Sequence, residues 1–389
     1  MYRGGSSHSE SSICAAVLGV FIVLGAFPLL YWNEGRAVKT AAALDEGLKY
    51  VIHVDNPRQI SRTEDGKLIH VTGVLQTDQV VSDPEYMVAM KAVKLKRQVE
   101  MFQWVEHKSE RKIQEGGETR VETTFHTVKK EWRSGLVNSA LFDRSHLHEN
   151  PSSMIITSKL YEVDHVYLGA FELSEGLVNG VNNFKPFRLN EIPATHDKQL
   201  RPPKLRDGIL YHSRDPMRPE IGDLKVSFSY AGYCGKAGTP HGEPMTVSIV
   251  AKQTGHKLGA YETDSGYPLE LLYPGKLSAK AIFEAEHASN VTMTWLLRGV
   301  GWLMFFLGFI MMTSILTTLV SWIPIVRDII GLGVTLACVA MATSFSLVVI
   351  AIGWIRFRPM LGCALLAAAA VPFILSRFKA KSEKKSEKF

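Results

Sequence analysis

The polar residues with the most pointed setting are Asn33, Glu34, Gly35 and Arg36, which follow an apolar run without a break. An acid and a base where a helix leaves a membrane can pair with neighbouring spans or with lipid headgroups. The plainer reading is a helix exit, its charges in the interfacial zone and Gly35 relaxing the backbone. His146 and His148 have the spacing of metal ligands, with Asp143 and Glu149 nearby. A metal site usually draws a second Cys or His cluster from elsewhere, and the sequence offers none, so a polar surface loop is the expectation. The glycine-rich stretch Ala231–Gly242 lacks the Gly-Lys-Ser/Thr ending of a phosphate loop, since Lys236 is followed by Ala237. It reads as a flexible hairpin loop. Nucleophile elbows, paired zinc motifs and kinase signatures are absent. These patterns predict no enzyme, no metal and no cofactor.

The elements that must position these residues follow from the apolar runs. Whole-chain values of 46% hydrophobic and 21% charged residues look like those of a soluble protein, because a polar domain and a greasy bundle cancel. Four runs, 13–32, 295–320, 329–354 and 360–376, each approach the roughly 20 apolar residues that cross a bilayer. The expected fold class is an α+β membrane protein with four transmembrane helices, one N-terminal and three C-terminal, plus a large β-rich lumenal domain at 33–294. The first run is too long for a signal-peptide core. It ends in Tyr31-Trp32, suited to a membrane interface, with no small-residue cleavage site after it.

Orientation follows from Arg377, Lys379, Lys381, Lys384, Lys385 and Lys388 beside the last run. This basic tail, 377–389, is expected in the cytosol, with the tail 1–12 on the same side, and Lys384 and Lys385 against anionic headgroups. Arg356 and Arg358 between the last two runs then violate the rule mildly; a re-entrant third or fourth segment would remove the violation. The net charge of +6 is explained by the tail. No basic and aromatic stripe marks the domain, so nucleic acid is not an expected partner.

Within the domain, Ala37–Tyr50 reads as a short helix ending near Gly47. Leu68–Thr77 reads as a strand, and Val93–Glu106 as a long half-buried one that pairs with Val121–Trp132 across Gly116-Gly117. Leu224–Tyr230 and Met245–Ile249 alternate in the same way, which predicts a sandwich or barrel. The Pro- and Lys/Arg-rich stretch 195–207 is the best place for a break, if there are two subdomains. Leu277–Ser289 is a helix leading back to the membrane. Cys234 stands alone in the domain, so its core is expected to hold without disulfides. Asn290-Val291-Thr292 is a glycosylation sequon too close to the second run to be modified readily.

Small residues in the runs predict close helix packing: Gly299, Gly301 and Gly308 in the second, Gly331 and Gly333 in the third. The contacts lie within one bundle or also between copies. Span centres almost lack ionisable residues, which counts against a pump or coupled transporter. Thr313, Ser314, Thr317, Thr318, Thr335, Ser344 and Ser346 would line a polar path in an oligomeric channel, or bond within their own helices.

Several stretches in order carry a resemblance. They are Trp32-Asn33-Glu34-Gly35-Arg36-Ala37-Val38-Lys39-Thr40, Leu68-Ile69-His70-Val71-Thr72-Gly73, Val99-Glu100-Met101-Phe102-Gln103-Trp104-Val105-Glu106 and Gly222-Asp223-Leu224-Lys225-Val226-Ser227-Phe228-Ser229-Tyr230-Ala231-Gly232. Trp322-Ile323-Pro324 and Gly353-Trp354 with Arg358-Pro359 follow in the bundle. From about Phe21 to Arg377 the chain resembles the transmembrane protein 43 (LUMA) family, with divergent tails. The resemblance implies a non-enzymatic scaffold of the endoplasmic reticulum and inner nuclear membrane. It implies self-association, and lamins and emerin as partners. A channel or channel regulator built from the bundle is the alternative.

Overall fold

The computed structural model describes residues 6–115, 118–193, 200–237, 242–319 and 324–360, with side chains outside 6–13, 110–125 and 314–332. Three long helices frame the chain: α1 (Ser6–Tyr50), then, after the short α2 (Glu175–Asn179), α3 (Ala279–Leu319) and α4 (Pro324–Phe357). Each contains a stretch long and apolar enough to cross a membrane. The fourth expected span, 360–376, and the tail with Lys384 and Lys385 lie outside the described residues, save Met360.

One expectation about the helices needs correction. The membrane run 13–32 and the helix Ala37–Tyr50 are one continuous helix, and Gly35 does not end it. The helix expected near Leu277–Ser289 does lead into the second span, as the single helix α3. Pro28 is the only proline within α1, so no residue after it lacks the backbone N–H that carries the hydrogen-bond ladder past the apolar segment. The part of α1 beyond Arg36, Ala37–Tyr50, rises roughly 20 Å. With the matching part of α3 it forms a two-helix stalk.

The strands follow in chain order. They are β1 (Ile52–Val54), β2 (Leu68–Gln76), β3 (Val81–Asp83), β4 (Val88–Met90), β5 (Ala92–Glu115), β6 (Glu118–Arg133), β7 (Lys159–Glu162), β8 (Tyr167–Leu168) and β9 (Phe171–Leu173). After α2 come β10 (Lys185–Phe187), β11 (Lys204–Arg206), β12 (Ile209–His212), β13 (Leu224–Tyr233), β14 (Thr246–Thr254), β15 (Lys257–Gly259), β16 (Tyr261–Glu262), β17 (Pro268–Leu269) and β18 (Leu271–Pro274). The long hairpin, the β2 strand and the alternating β13 and β14 stand where their period-two patterns predicted.

One sheet closes on itself. β2 pairs with β8, β8 with β9, β9 with β15, β15 with β14, and β14 returns to β2. Only the β9–β15 pairing in this ring is parallel. Numbered along the chain, the order is first, second, third, fifth, fourth, first: the strand order of the five-stranded OB barrel. A second sheet, with β5 at its centre between β13 and β6, is built from two insertions in that barrel. Strands β5, β6 and β7 come from the connection between β2 and β8, and β10 to β13 from that between β9 and β14. The two sheets therefore interleave along the chain, and no single cut near 195–207 separates them. One core joins them: Val71, Leu75, Leu168, Phe171 and Ile249 of the barrel meet Val93, Leu95, Val99, Val226 and Phe228 of the second sheet.

The outer face of the barrel rests on the stalk. Leu68 and Val250 pack with Ala43 and Leu44 of α1, and with Ile282 and Phe283 of α3. Gly47 is required there, since an added Cβ would strike Leu269 and the Phe283 ring. Cys234 is a partly buried free thiol, pushed up to about 12 by burial, and its Sγ–H donates to the Gly232 carbonyl at 3.2 Å. A thiol so protonated is a poor nucleophile.

A histidine pair marks the sheet–stalk junction. His70 Nε2–H donates to the Leu277 carbonyl at 2.9 Å, just before α3, so its Nδ1 is left to accept from His53 Nδ1–H at 2.8 Å. Burial first, then His53, lowers the His70 pKa from 6.5, against the raising effect of the Leu277 bond. The unfolded chain takes up this proton near the ordinary value and the folded chain only at lower pH. Stability from this group is therefore full above about pH 6.5 and falls as the solution is acidified towards the folded value. The unfolding midpoint should drop between about pH 7 and pH 5.5, and His70→Gln should flatten that part of the profile. An unchanged profile in the variant would mean that other groups carry the acid sensitivity.

Candidate functional site

The sequence motif Asn33–Arg36 lies in α1 against α3 and α4, and all but Arg36 of it is buried. Helical spacing explains its partners. Asn33, Arg36, Ala37 and Thr40 share one face of α1; Asn290, Thr294 and Arg298, four apart, share one face of α3. Glu34 is 2% exposed, so its carboxylate requires compensation. Arg298 supplies it as a fork, Nε–H to Oε1 at 2.7 Å and Nη2–H to Oε2 at 2.8 Å. Trp354 of α4 donates its indole N–H to Oε2 at 2.9 Å. The guanidinium lies over the Trp295 ring at 4.8 Å and the Trp354 ring at 5.8 Å. One carboxylate thus ties all three long helices together.

A second set of bonds closes α1 onto α3. Arg36 donates from Nη1 to Asn290 Oδ1 at 3.1 Å, and from Nη2 to Thr294 Oγ1 at 3.2 Å and Asn33 Oδ1 at 3.3 Å. Asn33 Nδ2 donates to the Thr294 carbonyl at 3.1 Å, and Asn290 Nδ2 to the Ala37 carbonyl at 3.0 Å. Two glycines make the approach possible. An added Cβ at Gly353 would lie 2.9 Å from Glu34 Cβ, and one at Gly35 would lie 2.7 Å from the Phe357 ring. Trp32 and Trp295 are 58% and 65% exposed at the same level, as expected of an aromatic belt at a membrane–water boundary.

The sequence singled out Asn33 to Arg36 and left open what they pair with. It missed Thr294, Arg298 and Trp354. The four-residue spacing of Asn290, Thr294 and Arg298 on α3 was the signal available for two of them.

Asn290 is a clamp residue as well as a sequon residue, with its amide nitrogen committed and its side chain 8% exposed. A glycan there is incompatible with the folded stalk. Glycosidase treatment of the protein made in cells should therefore produce no mobility shift, and a shift in the folded, assembled fraction would contradict this helix pairing.

Deeper in the bundle, an added Cβ at Gly301 would strike Leu30. At Gly308 it would meet Val23 and, at 2.9 Å, the Gly19 carbonyl. Gly299 and Gly333 stand apart: nothing among the described residues lies within 4 Å of either added Cβ. Gly331 lies in the part of α4 described by backbone alone. The bundle interior holds Ala26, Leu30, Phe305, Phe309, Cys338, Ala342 and Val349. Thr313 and Thr343 bond their own helices, to the carbonyls of Ile310 and Val339. His148, weighed as a metal ligand, packs edge-on against Trp104, 4.6 Å between ring centres.

Three apolar helices, a folded β domain carried between the first two of them, and a polar clamp where they leave the apolar zone define a multi-pass membrane protein with one large extramembrane domain. Within that class the chain belongs to the transmembrane protein 43 family, whose model matches residues 101–359. It is 40% identical over 367 residues to transmembrane protein 43 of Homo sapiens, covering 94% of this chain and 90% of the relative. The Drosophila melanogaster homolog is 34% identical over 365 residues, covering 92% and 93%. No solved structure matches the chain.

Proposed function

We propose that this protein is a non-enzymatic membrane scaffold of the endoplasmic reticulum and inner nuclear membrane. In this reading it self-associates and organises nuclear-envelope complexes. Its β-rich domain lies in the lumen, and both tails face the cytosol or nucleoplasm. The observation that carries the reading is the clamp. A buried carboxylate joins three helices, and two of those helices continue as a stalk packed against the outer face of the barrel. A rigid link of this kind suits a platform that presents a surface at fixed distance from a membrane. The basic tail supports the orientation. Lamins and emerin, the partners that the family resemblance implies, would in this topology be met from the nucleoplasmic side. A channel is the weaker reading, because the described interior of the bundle is mostly apolar, with Ser346 of α4 as a buried polar exception.

The test has two parts. With only the plasma membrane of cells opened, protease should remove the C-terminal tail and spare the domain. The purified complex, crosslinked and sized, should contain more than one copy together with nuclear-envelope proteins. Digestion of the domain would overturn the topology, and a lone monomer without partners would overturn the scaffold.

A further inference from the structure

The clamp leaves the boundary between apolar bundle and stalk strongly positive. Tyr31–Lys39 of α1, Thr294–Arg298 of α3 and Trp354–Arg358 at the end of α4 meet there through the bonds of Glu34. These segments carry five cations, Arg36, Lys39, Arg298, Arg356 and Arg358, and one acid, Glu34. Arg298 takes that acid as its fork partner. Arg36 is held by neutral oxygens alone, those of Asn290, Thr294 and Asn33. The remaining three cations are exposed, and none forms an ion pair among the described residues. The β16–β17 turn reaches Lys39, whose carbonyl accepts from Ser265 Oγ at 2.9 Å, yet Asp264 of that turn makes no ion pair with it.

These three cations gather at one aromatic pair. The Phe357 ring lies against Tyr31, 5.3 Å between ring centres, in the space that a side chain at position 35 would fill. Tyr31, Gly35 and Lys39 follow one another at four-residue steps along one stripe of α1, so Lys39 stands a turn above that ring. Arg356 lies over the same ring at 5.7 Å. Arg358 N–H donates to the Trp354 carbonyl at 2.7 Å, which holds its backbone at the helix end. Towards the apolar zone Ile352 and Ile355 are exposed, and the exposed Trp32 and Trp295 mark the level of the headgroups.

We propose that Lys39, Arg356 and Arg358 bind the headgroup of an anionic phospholipid in the leaflet that borders the β domain. Charge selects an anion, because three exposed cations lack an acid and the one carboxylate at this level is already spent on Arg298. A guanidinium fork matches phosphate oxygens in particular. Place selects a lipid. A ligand here meets cations at one end and exposed isoleucines at the other, which fits a phosphate carrying acyl chains. A soluble phosphate would use the cations alone. An acidic peptide would match them too, but it would have to displace the headgroups that lie at this level. In the proposed topology the site also explains why two arginines stand on the side that the basic-residue rule disfavours. The site itself holds for either orientation of the chain.

The experiment uses the full chain in mixed micelles that hold phosphatidylglycerol and phosphatidylcholine in equal amounts. Native mass spectrometry reads which lipid stays bound. Phosphatidylglycerol should be retained at least threefold over phosphatidylcholine. Lys39→Gln, Arg356→Gln and Arg358→Gln together should bring that ratio to about one, and the two arginine changes without the third should at least halve it. The tail variant, Lys384→Ala with Lys385→Ala, should keep the ratio of the parent. Unfolding midpoints show which variants are folded. Glycerol 3-phosphate and an oligoglutamate peptide, each in tenfold excess, should leave the lipid in place. Equal retention of both lipids by the parent chain would overturn the inference. So would a preference that the folded triple or double variant keeps in full, or that the tail variant loses. Displacement by glycerol phosphate would make this a site for soluble phosphate, and displacement by oligoglutamate a protein-docking surface; either result replaces the lipid.

Discussion

Glu34→Ala is expected to destabilise the folded chain by about 3–5 kcal/mol, the usual cost of stranding one partner of a buried ion pair. Arg298 would keep its charge, 15% exposed, against an apolar helix face, with two aromatic rings as its remaining company. The Trp354 indole would lose its acceptor at the same time. Unfolding of the full chain in mixed micelles, followed by tryptophan emission, measures the loss directly. Glu34→Gln should cost less, because the amide oxygen still accepts one hydrogen bond while the charge attraction is gone. A loss below about 1 kcal/mol for the alanine variant would place the pair among solvated surface bridges, contrary to its burial.

Gly308→Leu and Gly301→Leu form the second large effect. Both positions face α1 at contact distance, and at Gly308 the obstacle is the backbone oxygen of Gly19, which cannot rotate aside. Overpacking of this kind costs about 1–3 kcal/mol, and more where backbone must move. The bundle should loosen and self-association weaken, while the β domain keeps its fold. Gly299→Leu is the informative control, since nothing among the described residues lies within 4 Å of its Cβ. If it alone leaves bundle stability intact yet reduces self-association, that face of α3 meets a second copy. Lys384→Ala with Lys385→Ala should leave assembly unchanged and remove only headgroup attraction, worth about 1 kcal/mol for each residue. Glycine variants that assemble like the parent would show that the α1–α3 contact does not hold the bundle together.

How much of this was legible depends on element length. The spans showed because each is a long uniform run, and the β5–β6 hairpin because 24 and 16 residues give many periods of alternation. Barrel closure did not show. β8 and β9 have two and three residues, too few for any periodicity, and the parallel β9–β15 pairing joins segments more than eighty residues apart. The exit at Gly35 was misread for a related reason. A glycine beside charges looks like an end of helix from local propensity alone, whereas here it makes room for the Phe357 ring of a distant helix. Glu34 was singled out as an acid that could pair with neighbouring spans, but Arg298 and Trp354 stand 264 and 320 positions away. Only the fold brings them together.

The central claim is that Glu34, Arg298 and Trp354 act as one clamp that locks the domain-bearing helices to the third. A double-mutant cycle on Glu34→Leu and Arg298→Leu, read as unfolding free energy of the full chain in mixed micelles, tests it most directly. The clamp predicts that each single change is severe and that the double change recovers much of the loss, because two buried leucines leave no stranded charge. The coupling should reach about 1–3 kcal/mol, and Trp354→Phe should weaken it. Losses that simply add, with the double variant as unstable as the sum of the singles, would contradict the clamp.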